Sequence, residues 1–251
     1  MRSHVLQLPS TVRACLFDLD GVLTDTATVH AEAWKEMFDV FLRERATRER
    51  AAFVSFDPVG DYEEHIDGKK RFDGVRSFLA SRGIDLPEGS REDPVDAETI
   101  GGLGNRKNQL VLAMIDRRGV HAYQGSVLFV RAARDAGLRR AVVSASANCR
   151  KVLEAAGITD LFEARVDGVV AEQEQLRGKP APDMFLSAAR ILGVHPEEAA
   201  VFEDALAGVA AGRAGRFGFV VGVDRVGQAD ALRAHGADTV VSDLAELLEP
   251  A

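Results

Sequence analysis

The chain has 251 residues, 46% of them hydrophobic and 28% charged, a balance that allows one large core or a core with a smaller insert. Its formal net charge of −8 argues against a general nucleic-acid binder, but not against an anionic substrate held beside a metal ion or a few local cations. No apolar run approaches the length of a membrane span, and two cysteines exclude a disulfide framework and a zinc-ligand pattern. We therefore expect a cytoplasmic protein in which Cys15, inside an apolar run, is a buried thiol.

The first predicted element is a β-strand over residues 12–17, and a mainly helical region follows it. Apolar positions at helical spacing predict helices at 28–52, 61–66, 74–82 and 105–118, with a loop rich in Gly, Pro, Asp and Glu at 84–94. No clear strand interrupts this region. The pattern predicts a helical insert that interrupts an α/β core after its first strand.

After the insert, short apolar runs alternate with helical patterns. Strands are predicted at 140–143, 199–202, 217–223 and 239–241, and helices at 126–136, 148–156, 183–192, 206–214 and 228–235. Four of these helices are followed by Gly137, Gly157, Gly193 and Gly236, where a helix often needs a left-handed terminal residue. This alternation predicts an α/β fold: a Rossmann-like parallel sheet (residues 1–25 and 122–251) with helices on both faces, plus an inserted α-helical cap (26–121). Ligands of such sheets bind beyond the carboxyl ends of the strands.

Two carboxylates follow the first strand directly. Asp18 and Asp20 lie two residues apart, so both can project toward one site, and Gly21 permits a tight turn after them. Two unscreened carboxylates about 4 Å apart repel by roughly 4 kcal/mol at an effective dielectric near 20. A hard cation such as Mg²⁺ offsets that repulsion, and an Asp carboxylate is a known nucleophile toward phosphorus. The alternative for this pair alone is a plain turn.

Small polar residues follow the strand at 140–143. Ser144, Ala145, Ser146 and Asn148 precede a predicted helix, where hydroxyls and backbone N–H groups make an anion site. The alternative is simple capping of that helix, which Ser146 can supply.

Two further segments supply a cation and more carboxylates. Lys179 lies in a proline-constrained segment, and its ammonium can neutralise a transferring phosphoryl group. Glu203 and Asp204 end the strand at 199–202 and can complete the oxygen shell of a metal. An exposed loop lysine and a helix-capping Asp are the alternatives. Together the four segments favour magnesium-dependent phosphoryl transfer with Asp18 as the nucleophile, because each candidate follows a strand of one sheet.

The ordered set Asp18-x-Asp20-Gly21, Ser144, Lys179-Pro180 and Glu203-Asp204 resembles the haloacid dehalogenase superfamily, and in detail its β-phosphoglucomutase branch. The resemblance covers nearly the whole chain. It implies that Asp18 becomes an aspartyl phosphate and that Asp20 is the general acid/base and gives its carbonyl to Mg²⁺. It implies further that Glu203 and Asp204 bind the metal, and that Ser144 and Lys179 hold the phosphoryl group.

The same resemblance implies roles for the helical insert, as a mobile cap. The candidate substrate-binding residues of this cap are Thr26 at a hinge, His30, Trp34, Gly68, Arg71 and Lys107. Ser144, Ala145, Ser146 and Asn148, which follow the strand at 140–143, are candidates as well. Arg71 stands three residues after Gly68, as expected for a cap arginine that grips the second phosphate of the substrate. Asp67 replaces the lysine usual before that glycine, and the loop at 85–99 is longer. A solvated basic patch is the alternative for the cations at 69–71.

The resemblance implies a β-phosphoglucomutase that interconverts β-D-glucose 1-phosphate and glucose 6-phosphate through enzyme-bound glucose 1,6-bisphosphate. A sugar-phosphate or phosphoglycolate-type phosphatase with the same aspartyl phosphate remains an alternative, and so does a non-catalytic phosphate-binding module. Dehalogenation is disfavoured, because that chemistry needs neither Mg²⁺ nor Asp20 nor the pair at 203–204. We expect a monomer that binds neither nucleic acid nor membrane.

Overall fold

The computed structural model describes residues 4–250, and a six-stranded parallel sheet is its central feature. In chain order the strands are β1 His4–Leu6, β2 Ala14–Phe17, β3 Arg139–Val143, β4 Ala164–Val166, β5 Ala199–Glu203, β6 Phe219–Val223, β7 Thr239–Val241 and β8 Leu248–Pro250. The sheet has the order β4-β3-β2-β5-β6-β7, while β1 and β8 form a separate antiparallel pair. The predicted Rossmann-like α/β fold is confirmed.

Ten α-helices accompany the strands over the described residues. They are α1 Thr26–Glu49, α2 Gly60–His65, α3 Arg71–Ser81, α4 Ile100–Arg118, α5 Gln124–Asp135, α6 Cys149–Ala155, α7 Gly168–Gln173, α8 Asp183–Leu192, α9 Leu206–Ala214 and α10 Ala229–Ala234. Each of them is too short or too polar to cross a lipid bilayer.

Helices cover both faces of the sheet. Neighbouring residues of a strand point to opposite faces, so each strand packs against helices on both sides. On one face, Leu16 of β2 packs in a buried cluster with Phe185 of α8. On the other, the ring of Phe17 lies 6.2 Å from that of Phe129 of α5 and stacks on Phe202 at 4.6 Å. Burial on both faces explains why these strands read as continuous apolar runs rather than alternating ones.

The chain divides into two compact units. The sheet unit comprises residues 1–26, 68–70 and 120–251, and the helical unit comprises 27–67 and 71–119. The helical unit has its own core, in which Phe38, Phe56 and Phe78 pack with ring centroids 4.1 to 5.3 Å apart. The predicted limits of the insert, residues 26 and 121, stay a prediction.

All five predicted strands are present, and Gly137, Gly157, Gly193 and Gly236 all have positive φ, as the predicted helix ends require. Three short strands (β1, β4 and β8) and α7 were not predicted. Each of those strands has three residues, one of them His4, Arg165 or Glu249, so no apolar run marks it, and β4 lies at an edge of the sheet.

Candidate active site

The candidate active site lies at the carboxyl ends of β2 and β5. Phe17, the last residue of β2, pairs in register with Phe202, and the N–H of Asp18 donates to the Phe202 carbonyl at 2.9 Å. Strand β5 ends one residue later, at Glu203. Because the two strands are parallel neighbours, Asp18 and Glu203 leave the sheet at the same edge, where the strand-end argument predicts a site.

A buried lysine joins these two carboxylates. Lys179 Nζ donates to Asp18 Oδ1 and to Glu203 Oε1, and it lies 3.4 Å from the Val143 carbonyl oxygen. Its side chain is 1% exposed. Burial alone would lower the pKa of Lys179, but the carboxylates of Asp18 and Glu203 outweigh it and hold that pKa well above its usual value. The ammonium is therefore charged at neutral pH, so Lys179 is not an exposed loop lysine.

Both carboxylate oxygens of Glu203 contact protein donors. Oε1 accepts from Lys179, and Oε2 accepts the N–H of Ala205 at 2.9 Å. Gly208 makes room for this carboxylate, since a Cβ there would lie 1.8 Å from Glu203 Oε1. The full burial of Glu203 raises its pKa to about 7, against the opposing charge of Lys179. Glu203 therefore contacts Lys179 and the backbone of Ala205 in this structure, and metal binding by Glu203, directly or through water, stays a prediction.

Asp204 reaches the turn that follows β2. Gly21 has φ +87°, and a Cβ there would lie 1.8 Å from Asp204 Oδ2. An L-residue at 21 would be strained and would also displace this carboxylate. The structure therefore brings Asp204 against the loop that carries Asp18 and Asp20.

Two buried hydroxyls lie beside Asp20. Thr26 Oγ1, at the start of α1, donates to Asp20 Oδ1 and lies 2.7 Å from Thr24 Oγ1. Thr24 Oγ1 also lies 3.2 Å from the Leu19 carbonyl, to which it donates. Buried networks of this kind fix side-chain direction, so the carboxylate of Asp20 is oriented rather than mobile.

The predicted phosphate cradle forms a tight turn after β3. Ser144 is almost fully buried, and its Oγ accepts the N–H of Ser146 at 3.1 Å, while Ser146 Oγ accepts the N–H of Asn148 at 3.2 Å. Gly168 packs on this turn, since a Cβ there would lie 2.7 Å from the Ala145 carbonyl oxygen. Ser146 thus accepts from Asn148, the residue before α6, and α6 itself has no side-chain cap hydrogen bond, so the capping alternative is not confirmed. Phosphate binding by this turn stays a prediction.

In the helical unit, three of the predicted substrate-binding residues form one cluster. Lys107 Nζ lies 2.9 Å from His30 Nδ1 and 4.7 Å from the ring centroid of Trp34. Lys107 and Trp34 are buried. Burial, and then the charge of Lys107, hold the pKa of His30 well below its usual value, so its imidazole is neutral at pH 7.

The remaining two predicted substrate-binding residues belong to different units. Arg71 begins α3 in the helical unit, and its guanidinium carbon lies 4.8 Å from the ring centroid of Phe72. Gly68 belongs to the sheet unit and has φ +71°; a Cβ there would lie 3.3 Å from Ala207 Cβ. Lys70, also in the sheet unit, donates to the Leu176 carbonyl, so this lysine of the basic stretch at 69–71 is not merely solvated.

Comparison with known proteins identifies the family. A family model for haloacid dehalogenase-like hydrolases matches residues 12–216, which include every strand-end segment described above. The chain belongs to the haloacid dehalogenase superfamily.

Relatives place the chain within that superfamily. The β-phosphoglucomutases of Mycobacterium bovis and Mycobacterium tuberculosis are each 59% identical over 251 residues, covering 99% of this chain and 96% of theirs. The crystal structure of a β-phosphoglucomutase from Clostridium difficile superposes with a TM-score of 0.74 at 26% identity, covering 94% of this chain and 93% of that one. The chain is therefore an enzyme of the β-phosphoglucomutase-like branch.

This superfamily implies a Mg²⁺ ion, and the donor set fits one. Between residues 4 and 250, no group of three or more His, Cys, Asp or Glu side chains is arranged to hold a metal ion by itself. Mg²⁺ typically takes one or two carboxylates, keeps several waters and binds phosphate oxygens. Asp204 lies against the turn at Gly21, and two carboxylates with a backbone carbonyl are ligands of the kind that Mg²⁺ takes, so Asp18, Asp20 and Asp204 would hold the ion; that they do so stays a prediction.

Two residues of this site were not predicted from the sequence. After β6, Arg225 Nε donates to the Gly21 carbonyl at 2.8 Å, and Gln228 Nε2 donates to the Asp204 carbonyl at 3.0 Å. The Arg225 guanidinium carbon also lies 3.8 Å from the ring centroid of Tyr123. Both side chains thus hold the backbone of the two carboxylate-bearing turns. They too follow a strand of the parallel sheet, so the strand-end argument, extended to β6, would have identified them.

Proposed function

We propose that this enzyme interconverts β-D-glucose 1-phosphate and glucose 6-phosphate by Mg²⁺-dependent phosphoryl transfer through an aspartyl phosphate at Asp18. The observation that carries the proposal is the buried cluster of Asp18, Lys179 and Glu203 in a chain 59% identical, over nearly its full length, to β-phosphoglucomutases. We also propose that it is a cytoplasmic protein and a monomer. Light scattering of the purified protein would test the oligomeric state.

In the first half-reaction, a carboxylate oxygen of Asp18 attacks the phosphorus of the sugar phosphate. A P–O(Asp18) bond forms while the P–O(sugar) bond breaks, and its electron pair leaves with the sugar oxygen, which takes a proton from Asp20. The ammonium of Lys179, already beside Asp18, neutralises negative charge on the transferring group. When bound, Mg²⁺ supplies further neutralisation of the phosphoryl oxygens.

In the second half-reaction, the free hydroxyl of a glucose monophosphate attacks the phosphoaspartate, so that a P–O(sugar) bond forms while the P–O(Asp18) bond breaks. Asp20 takes the proton of that hydroxyl, and the carboxylate of Asp18 is restored. Starting from phosphoenzyme, one transfer makes glucose 1,6-bisphosphate and the next removes the other phosphate, so the net reaction is an isomerisation. Arg71, His30 and Lys107 are proposed to bind the sugar and its non-reacting phosphate.

The test is a product assay on the full chain with Mg²⁺, β-D-glucose 1-phosphate and a trace of glucose 1,6-bisphosphate. We expect glucose 6-phosphate to accumulate with little inorganic phosphate. The mutase proposal is wrong if inorganic phosphate is released freely and no glucose 6-phosphate forms.

A phosphatase is the second candidate, because the matching family model describes hydrolases. Its first half-reaction would be the same, and water would then replace the sugar hydroxyl as the acceptor. The same assay separates the two, since a phosphatase yields one inorganic phosphate for each sugar phosphate consumed. A panel of hexose and disaccharide phosphates, scored separately for isomer and for phosphate, would identify the preferred sugar.

A further inference from the structure

The loop that follows β4 lies against the turn that follows β3. Val143 and Val166, the last residues of these two strands, are partners in the parallel register. The N–H of Ser144 donates to the Val166 carbonyl oxygen at 3.0 Å. Both segments therefore leave the sheet at the same edge, which makes the loop at 167–168 a neighbour of the proposed phosphate-binding turn at 144–148.

Gly168 contacts the backbone of this turn directly. Its N–H donates to the Ser146 carbonyl oxygen at 3.1 Å. A Cβ at this position would lie 2.7 Å from the Ala145 carbonyl oxygen and 2.7 Å from the Ala147 nitrogen, closer than such atoms can approach. A glycine is therefore required here, because any side chain would move the turn.

The carboxylate of Asp167 holds the loop that carries Gly168. Its Oδ1 accepts the N–H groups of Val169 and Val170, both at 3.0 Å, at the start of α7. Its Oδ2 accepts from Arg165 Nε at 2.6 Å, and the side chain of Asp167 is 2% exposed. Because both oxygens of this buried carboxylate have partners, its orientation is fixed, and the backbone at Gly168 is fixed with it.

Arg165 also limits the electrostatic effect of this buried carboxylate. Burial, and next the charge of Asp167, raise the pKa of the Cys149 thiol at the start of α6, so the carboxylate lies close to the turn. A carboxylate near an anion site opposes the binding of phosphate, because like charges repel. Since the Arg165 guanidinium donates to the same carboxylate, the pair supports the turn with less repulsion of a phosphoryl group.

The turn is held at several points and still carries a donor. Ser144 Oγ accepts the Ser146 N–H at 3.1 Å, and a hydroxyl that accepts can still donate its own proton. Ser146 is bonded also through its hydroxyl, to the Asn148 N–H at 3.2 Å, and through its carbonyl, to Gly168. A donor that is already in position stabilises developing charge without reorganisation, so a shift of the turn would weaken that effect.

We propose that Asp167 and Gly168 are positioning residues for phosphoryl transfer, which fix the turn at 144–148 in the arrangement that receives the transferring group. The proposal rests on the proposed function, because it assumes that this turn binds the phosphoryl group. Both residues act through the turn rather than on the substrate. Gly168 acts by its close contact with the turn, and Asp167 acts by holding Gly168.

The test measures how tightly the full chain, in the presence of Mg²⁺, binds trifluoroberyllate, a mimic of the phosphoryl group of an aspartyl phosphate. Fluorine NMR follows the titration, and its chemical shifts report the hydrogen bonds made to the fluorine atoms. Gly168→Ala should displace the turn, change those shifts and weaken binding by roughly 10- to 100-fold. Asp167→Ala should act in the same direction, and Asp167→Asn, which keeps one oxygen for the N–H groups of α7, should recover part of the affinity.

Gly193→Ala is the matched control. Gly193 follows α8, has φ +67° and lies in the segment that enters β5, at the opposite edge of the sheet from the turn. An alanine there is strained, so the unfolding temperature should fall while trifluoroberyllate binds as it does to wild type.

Two results overturn the proposal. The first is a Gly168→Ala protein that binds the probe like wild type with unchanged fluorine shifts. The second is an equal loss of affinity in Gly168→Ala and Gly193→Ala, since general destabilisation would then explain both. If Gly168→Ala does not fold, the variants of Asp167 decide, and wild-type affinity in Asp167→Ala overturns the proposal.

The product assay separates this outcome from failure of the proposed function. If wild type binds the probe but makes no glucose 6-phosphate, and Gly168→Ala binds weakly, the positioning role stands and the mutase assignment falls. If glucose 6-phosphate forms and Gly168→Ala binds the probe like wild type, only the role of Asp167 and Gly168 is wrong. If wild type does not bind the probe, both fall.

Discussion

The sheet unit and the helical unit hold their buried cations differently. In the sheet unit, Lys179 donates to two carboxylates, Asp18 and Glu203, so the charge is compensated within the protein. In the helical unit, the guanidinium carbons of Arg71 and Arg91 lie 4.8 Å and 5.1 Å from the ring centroid of Phe72. Lys107 of that unit contacts the His30 imidazole and the Trp34 ring.

This difference indicates what each unit contributes to the proposed reaction. A compensated cluster can keep a nucleophile ionised and aligned before any substrate arrives, which suits chemistry. In the helical unit, Lys107 and His30 lie together, and both are proposed to bind the sugar phosphate. Substitutions in the two units should therefore have different consequences, and the following predictions test that.

The largest effect is expected in the sheet unit, for Asp18→Asn. The amide cannot form the aspartyl phosphate, so turnover should fall by at least about 10⁴-fold, and steady-state kinetics would measure it. Asp135→Asn, at an exposed position of α5, is the control and should retain activity. A residual rate within tenfold of wild type would remove Asp18 from the mechanism.

Next in size is a loss of stability in the helical unit, for Phe78→Ala. Phe78 is fully buried and its ring lies 4.1 Å from that of Phe38, so truncation should cost about 3–5 kcal/mol. Trp34, the one tryptophan of the chain, belongs to this core, and its fluorescence during urea unfolding measures the loss. Phe53→Ala, at an exposed site, should change stability by no more than about 0.5 kcal/mol. A cost below about 1 kcal/mol for Phe78→Ala would contradict the packing described.

A smaller effect concerns His30 and pH. The pKa of His30 is lowered in the folded protein. Below about pH 6.5, the usual pKa of histidine, the unfolded chain therefore binds more protons than the folded one. Stability falls as the pH falls through this range. Between pH 7 and pH 5 this contribution reaches at most about 2 kcal/mol, and His30→Gln should remove it. Urea unfolding followed by Trp34 fluorescence at the two pH values measures the difference. The control, His235→Gln, should leave it unchanged; an identical acid dependence in wild type and His30→Gln would refute the buried neutral imidazole.

The smallest effect is expected for Gln228→Leu, which removes the donor to the Asp204 carbonyl without touching a reacting atom. We expect kcat to fall about tenfold with little change in KM, as for the loss of a residue that orients a metal ligand, the role proposed for Asp204. Gln173→Leu, exposed on α7, serves as the control. A rise in KM with unchanged kcat would instead assign Gln228 to substrate binding.

The sheet unit was more predictable from sequence than the helical unit, for a physical reason. Parallel strands buried on both faces read as apolar runs, and polar residues at their ends point to a site, which is how Asp18, Ser144 and Glu203 were found. Arg225 and Gln228 also follow a strand, β6, but they were not among the predicted site residues.

In the helical unit, the prediction for α4 began at residue 105, five residues late. Gly101, Gly102 and Gly104 are poor helix formers, but they leave room for neighbouring groups: a Cβ at Gly101 would lie 2.0 Å from the Ser90 carbonyl oxygen. Local propensity does not contain that tertiary contact.

The most direct test of the central claim is transfer of labelled phosphate to the protein. Wild-type enzyme would be mixed with Mg²⁺ and glucose 1,6-bisphosphate labelled in both phosphates, quenched in acid, and mapped by peptide. We expect an acid-stable, alkali-labile label on the peptide containing Asp18, and no such label on the Asp18→Asn protein. Turnover without any label, or a label on a different residue, would contradict it.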